Sequence, residues 1–380
     1  MSYIVDSREI SPEVEETNRQ LQEFIKKQSA HIKIIGIGGA GNNSISRMKE
    51  IGIKGGEIIA INTDAQDLLY TSADRKILIG KQLTKGNGAG SNPQIGMEAA
   101  RESQQEIQEK ISDSDLIFIT CGLGGGTGTG AAPIVAEIAR KQKALTIGVV
   151  TLPFTVEGKK RNDNALEGLE KLALLVDTLI VIPNDKLLEI APNLPISTAF
   201  KIADEILTNA IKGITELITK SGLVNLDFAD VKAVMSDGGL SLIGMGESNS
   251  TNRSVEAIER ALNNPLLDVE IKDATGALVN VMGGEDLSLE EYKEVMEYLG
   301  NRLSPEAKII SGAQIAKEFE GMLKVMVVVT GIQGPIFSEI LPEKFLSESN
   351  EDEDNNEISE YLDFEKGEFE NTNFKKRMAG

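Results

Sequence analysis

The chain is poor in the side chains that most often carry nucleophilic, metal and redox chemistry. Its 380 residues include one cysteine, one histidine and no tryptophan. A single cysteine excludes an internal disulfide, and Cys121 lies within an apolar run, where we expect a buried structural thiol in a reducing compartment. Because His31 precedes the first predicted strand, we expect neither a Ser-His nor a Cys-His nucleophile system.

Long apolar segments and positive charge are also scarce. The longest apolar stretches, such as Met326–Val329, are far shorter than the roughly 20 residues that span a bilayer, and the amino terminus lacks the apolar core of a secretion signal. The 39 basic and 59 acidic residues give a formal net charge of −20, which repels nucleic acids and anionic lipids. We therefore expect a cytoplasmic protein that neither inserts into a membrane nor binds nucleic acid.

Residues 31–195 carry a series of short apolar runs, most of them separated by helical stretches. Strands that are apolar on both faces are typical of an α/β fold with a doubly wound parallel sheet. A chain of this length also favours two domains, because single cores seldom exceed roughly 250 to 300 residues. The predicted strands are Ile32–Ile37, Glu57–Ile61, Lys76–Ile79, Leu116–Cys121, Leu145–Val150 and Thr178–Ile182.

The longest helical pattern follows at residues 196–222, where apolar residues recur at spacings of three and four. A helix this apolar is predicted to be a core element that ends at Gly222. Residues 223–335 then predict a smaller α+β domain, joined to the first by this long core helix. Its predicted strands are Leu240–Gly244, Ala277–Met282, Lys308–Ile310 and Lys324–Thr330, and its predicted helices span 254–263 and 288–300.

The two ends of the chain differ from the rest in composition. Residues 1–30 are polar and predict a mobile extension. Residues 336–380 predict an acidic disordered tail, since the segment Ser347–Glu370 is dominated by carboxylates and has a single lysine. The basic and aromatic ending Asn373–Met378 is typical of a short docking peptide, although an ordinary solvated terminus would look the same.

Two glycine-rich loops follow predicted strands. The first, Gly36–Asn43, fits the G-x-G-x-x-G pattern, and with Asp64 it would by itself predict an NAD-dependent oxidoreductase. The second, Gly122–Gly130, presents bare backbone N–H groups beside a helix N-terminus, which makes an anion cradle. Two such loops on one sheet suit a polyphosphate. Neither loop has the lysine of a P-loop, so we expect backbone dipoles, the hydroxyls of Thr127 and Thr129, and Mg²⁺ to meet the charge.

The second loop contains the sequence GGGTGTG, which resembles the signature of the tubulin and FtsZ superfamily. The resemblance covers about residues 32–332 and is greater to the FtsZ family of prokaryotic cell-division GTPases than to tubulin. The long amino-terminal extension and an unfamiliar tail peptide favour an archaeal member. Further matching motifs are Asn62–Gln66, Gly88–Pro93, Pro153–Arg161, Pro183–Asp185 and Asn225–Val231.

The resemblance implies a GTP site and a role for each matching residue. Glu157 and Arg161 would contact the ribose and α-phosphate, and Phe200 would stack on the base. Asp204 would accept hydrogen bonds from the N1–H and the exocyclic amine of guanine, a pair that adenine lacks. Without the resemblance, Asp204, Glu157 and Arg161 would suit ordinary surface positions. The phosphates would be held by Gly39, Ala40, Gly41, Asn42, Asn43, Gly125, Gly126, Thr127, Gly128 and Thr129, with Ala89, Gly90 and Ser91 closing over the γ-phosphate.

The motif with Asn225, Asp227 and Asp230 implies the groups that position or polarise the attacking water. Asp204 and Asp227 lie near opposite ends of the long helix, roughly 30 Å apart at about 1.5 Å per residue. One nucleotide cannot reach both, so Asp227 and Asp230 would act on the GTP of an adjacent subunit. The alternative is that Asp227 only caps the helix that begins at Phe228.

Together these features predict a GTPase that polymerises head to tail and forms the scaffold of the mid-cell division ring. Its tail would bind a membrane adaptor or other division proteins. Two alternatives stay open. An NAD-dependent oxidoreductase would use the first glycine loop and Asp64, and a non-hydrolysing structural paralogue would bind GTP without turnover.

Overall fold

The computed structural model describes residue 19 and residues 30–190, 195–219, 223–224, 226–236, 238–267 and 271–332. The predictions of a mobile extension over 1–30 and of an acidic tail with a docking peptide over 336–380 fall almost wholly outside these residues. No helix within the described ranges is long and apolar enough to cross a membrane.

In the described part of the chain, ten strands form one mixed sheet. The strands predicted from the sequence are confirmed, and most run slightly longer than predicted. Their order across the sheet is β3-β2-β1-β4-β5-β6-β7-β10-β8-β9. The bounds are β1 Ile32–Ile37, β2 Gly56–Asn62, β3 Arg75–Leu78, β4 Leu116–Gly122, β5 Leu145–Leu152, β6 Thr178–Pro183, β7 Gly239–Ser248, β8 Gly276–Gly283, β9 Lys308–Ile315 and β10 Leu323–Thr330.

Helices connect most of these strands, as expected for parallel pairing. The first, α1, begins at Gly38 directly after β1, and α5 begins at Thr127 after β4 and the second glycine loop. The bounds are α1 Gly38–Ile51, α2 Ala65–Tyr70, α3 Pro93–Glu102, α4 Gln104–Ile111, α5 Thr127–Lys141, α6 Lys159–Ala173, α7 Asn184–Ile190, α8 Ile196–Thr219, α9 Phe228–Met235, α10 Arg253–Leu262 and α11 Leu289–Gly300.

The sheet changes from parallel to antiparallel pairing beyond β7. Strands β3 to β7 are all parallel, while β10 runs antiparallel to both β7 and β8. Pairing of β6 with β7, from Thr178 opposite Gly239 to Ile180 opposite Ser241, links the doubly wound part to the α+β part. The two parts recognised in the sequence thus share one continuous sheet.

The helix α8 is the core element that the sequence predicts. Its inward face, including Leu207, Ile211 and Ile214, is buried against residues of both parts of the sheet, such as Ile147 and Leu278. The helix is described to Thr219, and its predicted end at Gly222 lies outside the described residues. Through this burial α8 fixes the position of the side chains on its exposed face relative to the sheet.

Candidate functional site

Both glycine loops lie at the same edge of the sheet. Strands β1 and β4 are adjacent and parallel, with Ile37 opposite Cys121 at their carboxyl ends. The loops contact each other there, since a β-carbon on Gly38 would lie 2.9 Å from the backbone nitrogen of Gly128. Ligands of open parallel sheets bind outside the carboxyl ends of the strands, and this edge is therefore the candidate site.

Packing explains some of the loop glycines but not all of them. A β-carbon on Gly41 would lie 2.5 Å from the carbonyl oxygen of Thr120, and one on Gly130 would lie 1.9 Å from that of Pro93. At Gly125 a β-carbon would meet no atom within 4 Å, and at Gly39 it would meet only the Asp67 carboxylate at 3.8 Å. Gly125 and Gly39 thus leave bare backbone facing open space, which is what close approach of an anion to a helix N-terminus requires.

The loop of Ala89, Gly90 and Ser91 lies against the second glycine loop. A β-carbon on Gly126 would come within 2.8 Å of that of Ala89, which is itself buried. Gly90 and Ser91 both adopt the left-handed conformation, with φ of 58° and 57°. Since only the first of these is a glycine, the chain holds Ser91 in a conformation that costs energy for most residues.

Hydroxyl groups shape the floor of the cradle. The Thr127 and Thr63 hydroxyl oxygens lie 2.6 Å apart, and Thr129 Oγ1 accepts a hydrogen bond of 2.9 Å from the backbone N–H of Gly124. Both threonines therefore have contacts within the protein in addition to any contact with a ligand. The Thr129 side chain is buried and fixes the bend of the loop.

The two glycine loops together form the candidate cradle, and Asn42, in the first loop, is the one side chain of these loops whose polar atoms are buried and without hydrogen-bond partners. It is 1% exposed, and neither Oδ1 nor Nδ2 has a hydrogen-bond partner in the described part of the chain. An unpaired buried amide costs about 1 to 3 kcal/mol. In the first turn of α1, beside open backbone, such a group fits a site that receives a polar ligand.

Positive charge lines the rim of the site. Lys159, Lys160 and Arg161 border a cleft that also includes Gly124 and the loop 90–93. Arg161 Nε lies 3.0 Å from a carboxylate oxygen of Glu157, so the two residues named from the sequence pair with each other. The sequence interpretation gave no role to Lys159 and Lys160, although both lie in the matching motif Pro153–Arg161. The signal was a run of three basic residues in a chain of net charge −20.

The exposed start of α8 faces the cradle. Phe200 is 41% exposed and packs edge-to-face on Phe154, with ring centroids 5.3 Å apart. One turn further, Asp204 Oδ1 accepts a hydrogen bond of 2.7 Å from the Ser44 hydroxyl on α1. Burial raises the pKa of Asp204, while the Ser44 hydrogen bond and the charge of Arg47 oppose that rise. The structure thus brings Asp204 to the helix that follows the first glycine loop, and Phe200 to Phe154 after β5.

Asp227 and Asp230 form a capping box at the start of α9. Asp227 Oδ1 accepts from the Asp230 backbone N–H at 2.8 Å, and Asp230 Oδ2 accepts from the Asp227 N–H at 3.2 Å. The capping role that the sequence offered as an alternative is therefore present, and it leaves other carboxylate oxygens free to act. Asn225, the third residue named with them, lies outside the described residues.

These two carboxylates lie far from the glycine loops of the same chain. Val224, three residues before Asp227, pairs with Ala313 of β9 at the end of the sheet opposite β3. Six strand spacings separate β9 from β4, which amounts to roughly 29 Å at about 4.8 Å per spacing. The structure does not bring Asp227 and Asp230 to the cradle.

Asp64 has a structural role that the oxidoreductase interpretation did not foresee. Its carboxylate accepts from the backbone N–H groups of Gln66 and Asp67, at 2.9 and 3.1 Å, and caps α2. Backbone N–H groups thus engage Asp64, the acid that a dinucleotide site would direct at the ribose.

Cys121 is buried, and burial raises the pKa of its thiol to about 12, as expected for a structural cysteine.

The chain is similar to known proteins along most of its length. Residues 31–192 match the GTPase domain of the Tubulin/FtsZ family, and residues 239–333 match the C-terminal domain of the FtsZ family. Cell division protein FtsZ 1 of Methanocaldococcus jannaschii is 59% identical over 86% of this chain and 89% of its own length. The protein of that name from Thermococcus kodakarensis is 57% identical over 86% and 88%.

A solved structure gives the same relationship in three dimensions. The empty FtsZ dimer of M. jannaschii superposes with a TM-score of 0.80 and covers 85% of this chain and 93% of its own. The relatives named here are archaeal, in line with the expectation from the termini. On these similarities and on the arrangement of its glycine loops, the chain belongs to the FtsZ family of the tubulin/FtsZ superfamily.

Proposed function

We propose that this protein is a GTPase that polymerises head to tail and hydrolyses GTP at the junctions between its subunits, as the scaffold of a cell-division ring. The observation that carries the proposal is the separation of two half-sites. The nucleotide cradle lies at β1 and β4, and the carboxylates suited to hydrolysis lie beside β9. The active site of each subunit is then complete only when a neighbouring subunit supplies the carboxylates.

Binding follows from the geometry of the cradle. The open backbone at Gly39 and Gly125 receives the phosphates, and the unpaired Asn42 amide offers a donor and an acceptor to the nucleotide. The basic rim at Lys159–Arg161 offsets the negative charge. Asp204 selects guanine, because its carboxylate accepts from two adjacent donors that adenine does not have.

Mg²⁺ is part of this proposal as an ion held mainly by the triphosphate. Among the described residues, no group of three acidic, histidine or cysteine side chains could hold a metal. Mg²⁺ usually binds through phosphate oxygens and waters with one or two protein ligands at most, so a site without a cluster of protein ligands fits this ion. When bound, the ion neutralises charge that develops on the phosphates.

Hydrolysis requires little covalent chemistry from the protein. Phosphoryl transfer depends mostly on positioning and electrostatics. The exposed carboxylate of Asp227 and the half-buried carboxylate of Asp230, at the start of α9, can orient a water against the γ-phosphate of the next subunit. Asn225 is the third group in this proposed set. The capping box fixes the backbone of Asp227 and Asp230 and so fixes where their remaining oxygens point.

Exposed apolar side chains support an end-to-end contact. Val156 is 85% exposed beside the basic rim, and Leu223 is 67% exposed near Asp227. Both side chains would be stabilised if the proposed contact removed them from water. A contact between two different faces of identical subunits propagates into a filament when the rotation between subunits does not close a ring.

The test compares Asp227→Ser with Asp227→Ala. Serine caps a helix about as well as aspartate, so Asp227→Ser removes the carboxylate and keeps the cap. We expect both variants to bind GTP but to lose most of their turnover, and we expect sub-stoichiometric Asp227→Ser to inhibit wild-type turnover in mixtures. Wild-type turnover by Asp227→Ser alone would refute the assignment. Normal assembly without turnover in the wild type would instead favour a non-hydrolysing paralogue.

A ring scaffold acts at the membrane, and no helix in the described part of the chain could span one. We propose that the ending Phe374–Arg377 is the docking peptide for a membrane-bound division protein, because it combines an aromatic side chain with positive charge after an acidic run. Deletion of residues 371–380 should abolish recruitment to mid-cell membrane and leave polymerisation intact. Loss of polymerisation would contradict this role.

A further inference from the structure

A contact between α1 and α8 joins two side chains that are 160 positions apart in the sequence. The Ser44 hydroxyl lies 2.7 Å from Asp204 Oδ1. Ser44 is 2% exposed, whereas Asp204 lies partly open to solvent at the edge of the cradle. The buried partner thus holds one side of the carboxylate and leaves the other side accessible.

The hydroxyl has two possible acceptors but only one proton. Its second neighbour is the backbone carbonyl of Ala40, at 3.1 Å within the same helix. A hydrogen bond to an ionised carboxylate is shorter and stronger than one to a neutral carbonyl. The proton is therefore directed to Asp204, and the orientation of that carboxylate is fixed from α1.

The surroundings of Asp204 shift its pKa in two directions. Burial raises the pKa of the carboxyl, whereas the Ser44 hydrogen bond and the charge of Arg47, one turn after Ser44, oppose that rise. Arg47 also lies 3.7 Å from Glu205 on α8. Because only the ionised form presents two acceptor oxygens and no donor, the Ser44 hydroxyl contributes both orientation and charge state.

We propose that Ser44 is a positioning residue for guanine recognition, holding the Asp204 carboxylate so that its remaining lone pairs face the N1–H and the exocyclic amine of the base. The inference rests on the proposed function, in which Asp204 reads the base. It adds a residue outside the motifs that suggested the site. It also predicts how the chain distinguishes guanine from hypoxanthine, which keeps N1–H and lacks the amine.

The experiment titrates nucleotide-free full-length protein with GDP and with inosine diphosphate by calorimetry. For Ser44→Ala we expect the Kd for GDP to rise roughly tenfold, from loss of a hydrogen bond to a charged group. The preference for GDP over inosine diphosphate should fall. Ser44→Thr keeps the hydroxyl and should restore both values. Ser46→Ala is the matched control, because Ser46 on the same helix bonds the Asn42 carbonyl and the Ser72 N–H instead.

A pH series adds a readout that a purely structural role would not change. Removing the Ser44 hydrogen bond raises the pKa of Asp204 further, so the loss of GDP affinity on acidification should begin at a higher pH in Ser44→Ala than in the wild type. Arg47 and Glu205 are present in both proteins and do not account for the difference. Equal melting temperatures exclude general misfolding.

The outcomes separate this inference from the proposed function. If Ser44→Ala binds both nucleotides as the wild type does, while Asp204→Ala loses GDP, the role of Ser44 is overturned and the base-reading role of Asp204 stands. If Asp204→Ala also binds GDP normally, the proposed guanine site itself is wrong.

Discussion

A glycine in the second loop can serve close packing within the protein or close approach of a phosphate to the backbone. Replacing Gly125 by alanine distinguishes these two roles. A β-carbon at Gly125 would meet no protein atom within 4 Å, and the residue does not adopt a left-handed conformation. Alanine at this position therefore causes no steric clash in the folded protein. Because alanine makes the unfolded chain less flexible, the substitution should raise the free energy of unfolding by about 0.4 to 1 kcal/mol. The added methyl group instead occupies the space through which a phosphate approaches the backbone.

The expected loss appears in nucleotide binding. A hydrogen bond to a charged group contributes about 1.5 to 3 kcal/mol, so loss of one phosphate contact should raise the Kd for GDP roughly 10- to 100-fold. Thermal denaturation and GDP titration of one preparation measure both effects. An unchanged Kd for GDP in a stably folded Gly125→Ala protein would refute the cradle.

Gly130→Ala is the matched control for this pair of measurements. Its β-carbon would lie 1.9 Å from the Pro93 carbonyl oxygen and 2.6 Å from the Met97 nitrogen. Backbone must move to admit it, at a cost of about 1 to 3 kcal/mol or more. Gly130→Ala should therefore lower the melting temperature, whereas Gly125→Ala should not.

Two further predictions concern other parts of the chain. Arg253 bonds Glu291 and holds the pKa of that carboxyl at about 2, against 4.5 in its ordinary state. Because the pKa of Glu291 is lowered in the folded state, its ionised form stabilises the fold at pH values above about 4.5, and this stabilisation is lost as the pH falls towards 2. The melting temperature should therefore decrease over this pH range, and it should decrease less in Arg253→Met. Leu223→Asp should reduce GTP-dependent light scattering by placing a charge in the subunit contact, while Leu289→Asp, at an 83% exposed leucine on α11, should not. If Leu223→Asp scatters light as strongly as Leu289→Asp, Leu223 does not lie in the interface.

Local patterns in the sequence were sufficient for most of the fold. Buried parallel strands such as Leu116–Cys121 are continuous apolar runs with turn residues at their ends, and the amphipathic repeat of α8 is unusually long. The glycine loops follow such strands directly, and this pattern indicated the candidate site. The joining of both parts into one sheet depends on the pairing of β6 with β7 across intervening helices, and no local pattern encodes that pairing.

Side-chain partnerships were the least predictable part. The bond between Ser44 and Asp204 depends on how α1 packs against α8, and neither residue has a local signal for it. Asp64 looked like a ribose ligand because of its spacing after the first loop, but the backbone of α2 engages its carboxylate. In both cases the residue type fits several partners, and only the packed structure chooses among them.

In the proposed mechanism, one subunit completes the active site of the next. The most direct test is phosphate release from GTP per subunit, measured across a range of protein concentrations. Completion in trans predicts almost no turnover at low concentration and a steep rise in specific activity above a critical concentration, in step with light scattering. A specific activity that stays constant at all concentrations, including those without assembly, would contradict the account.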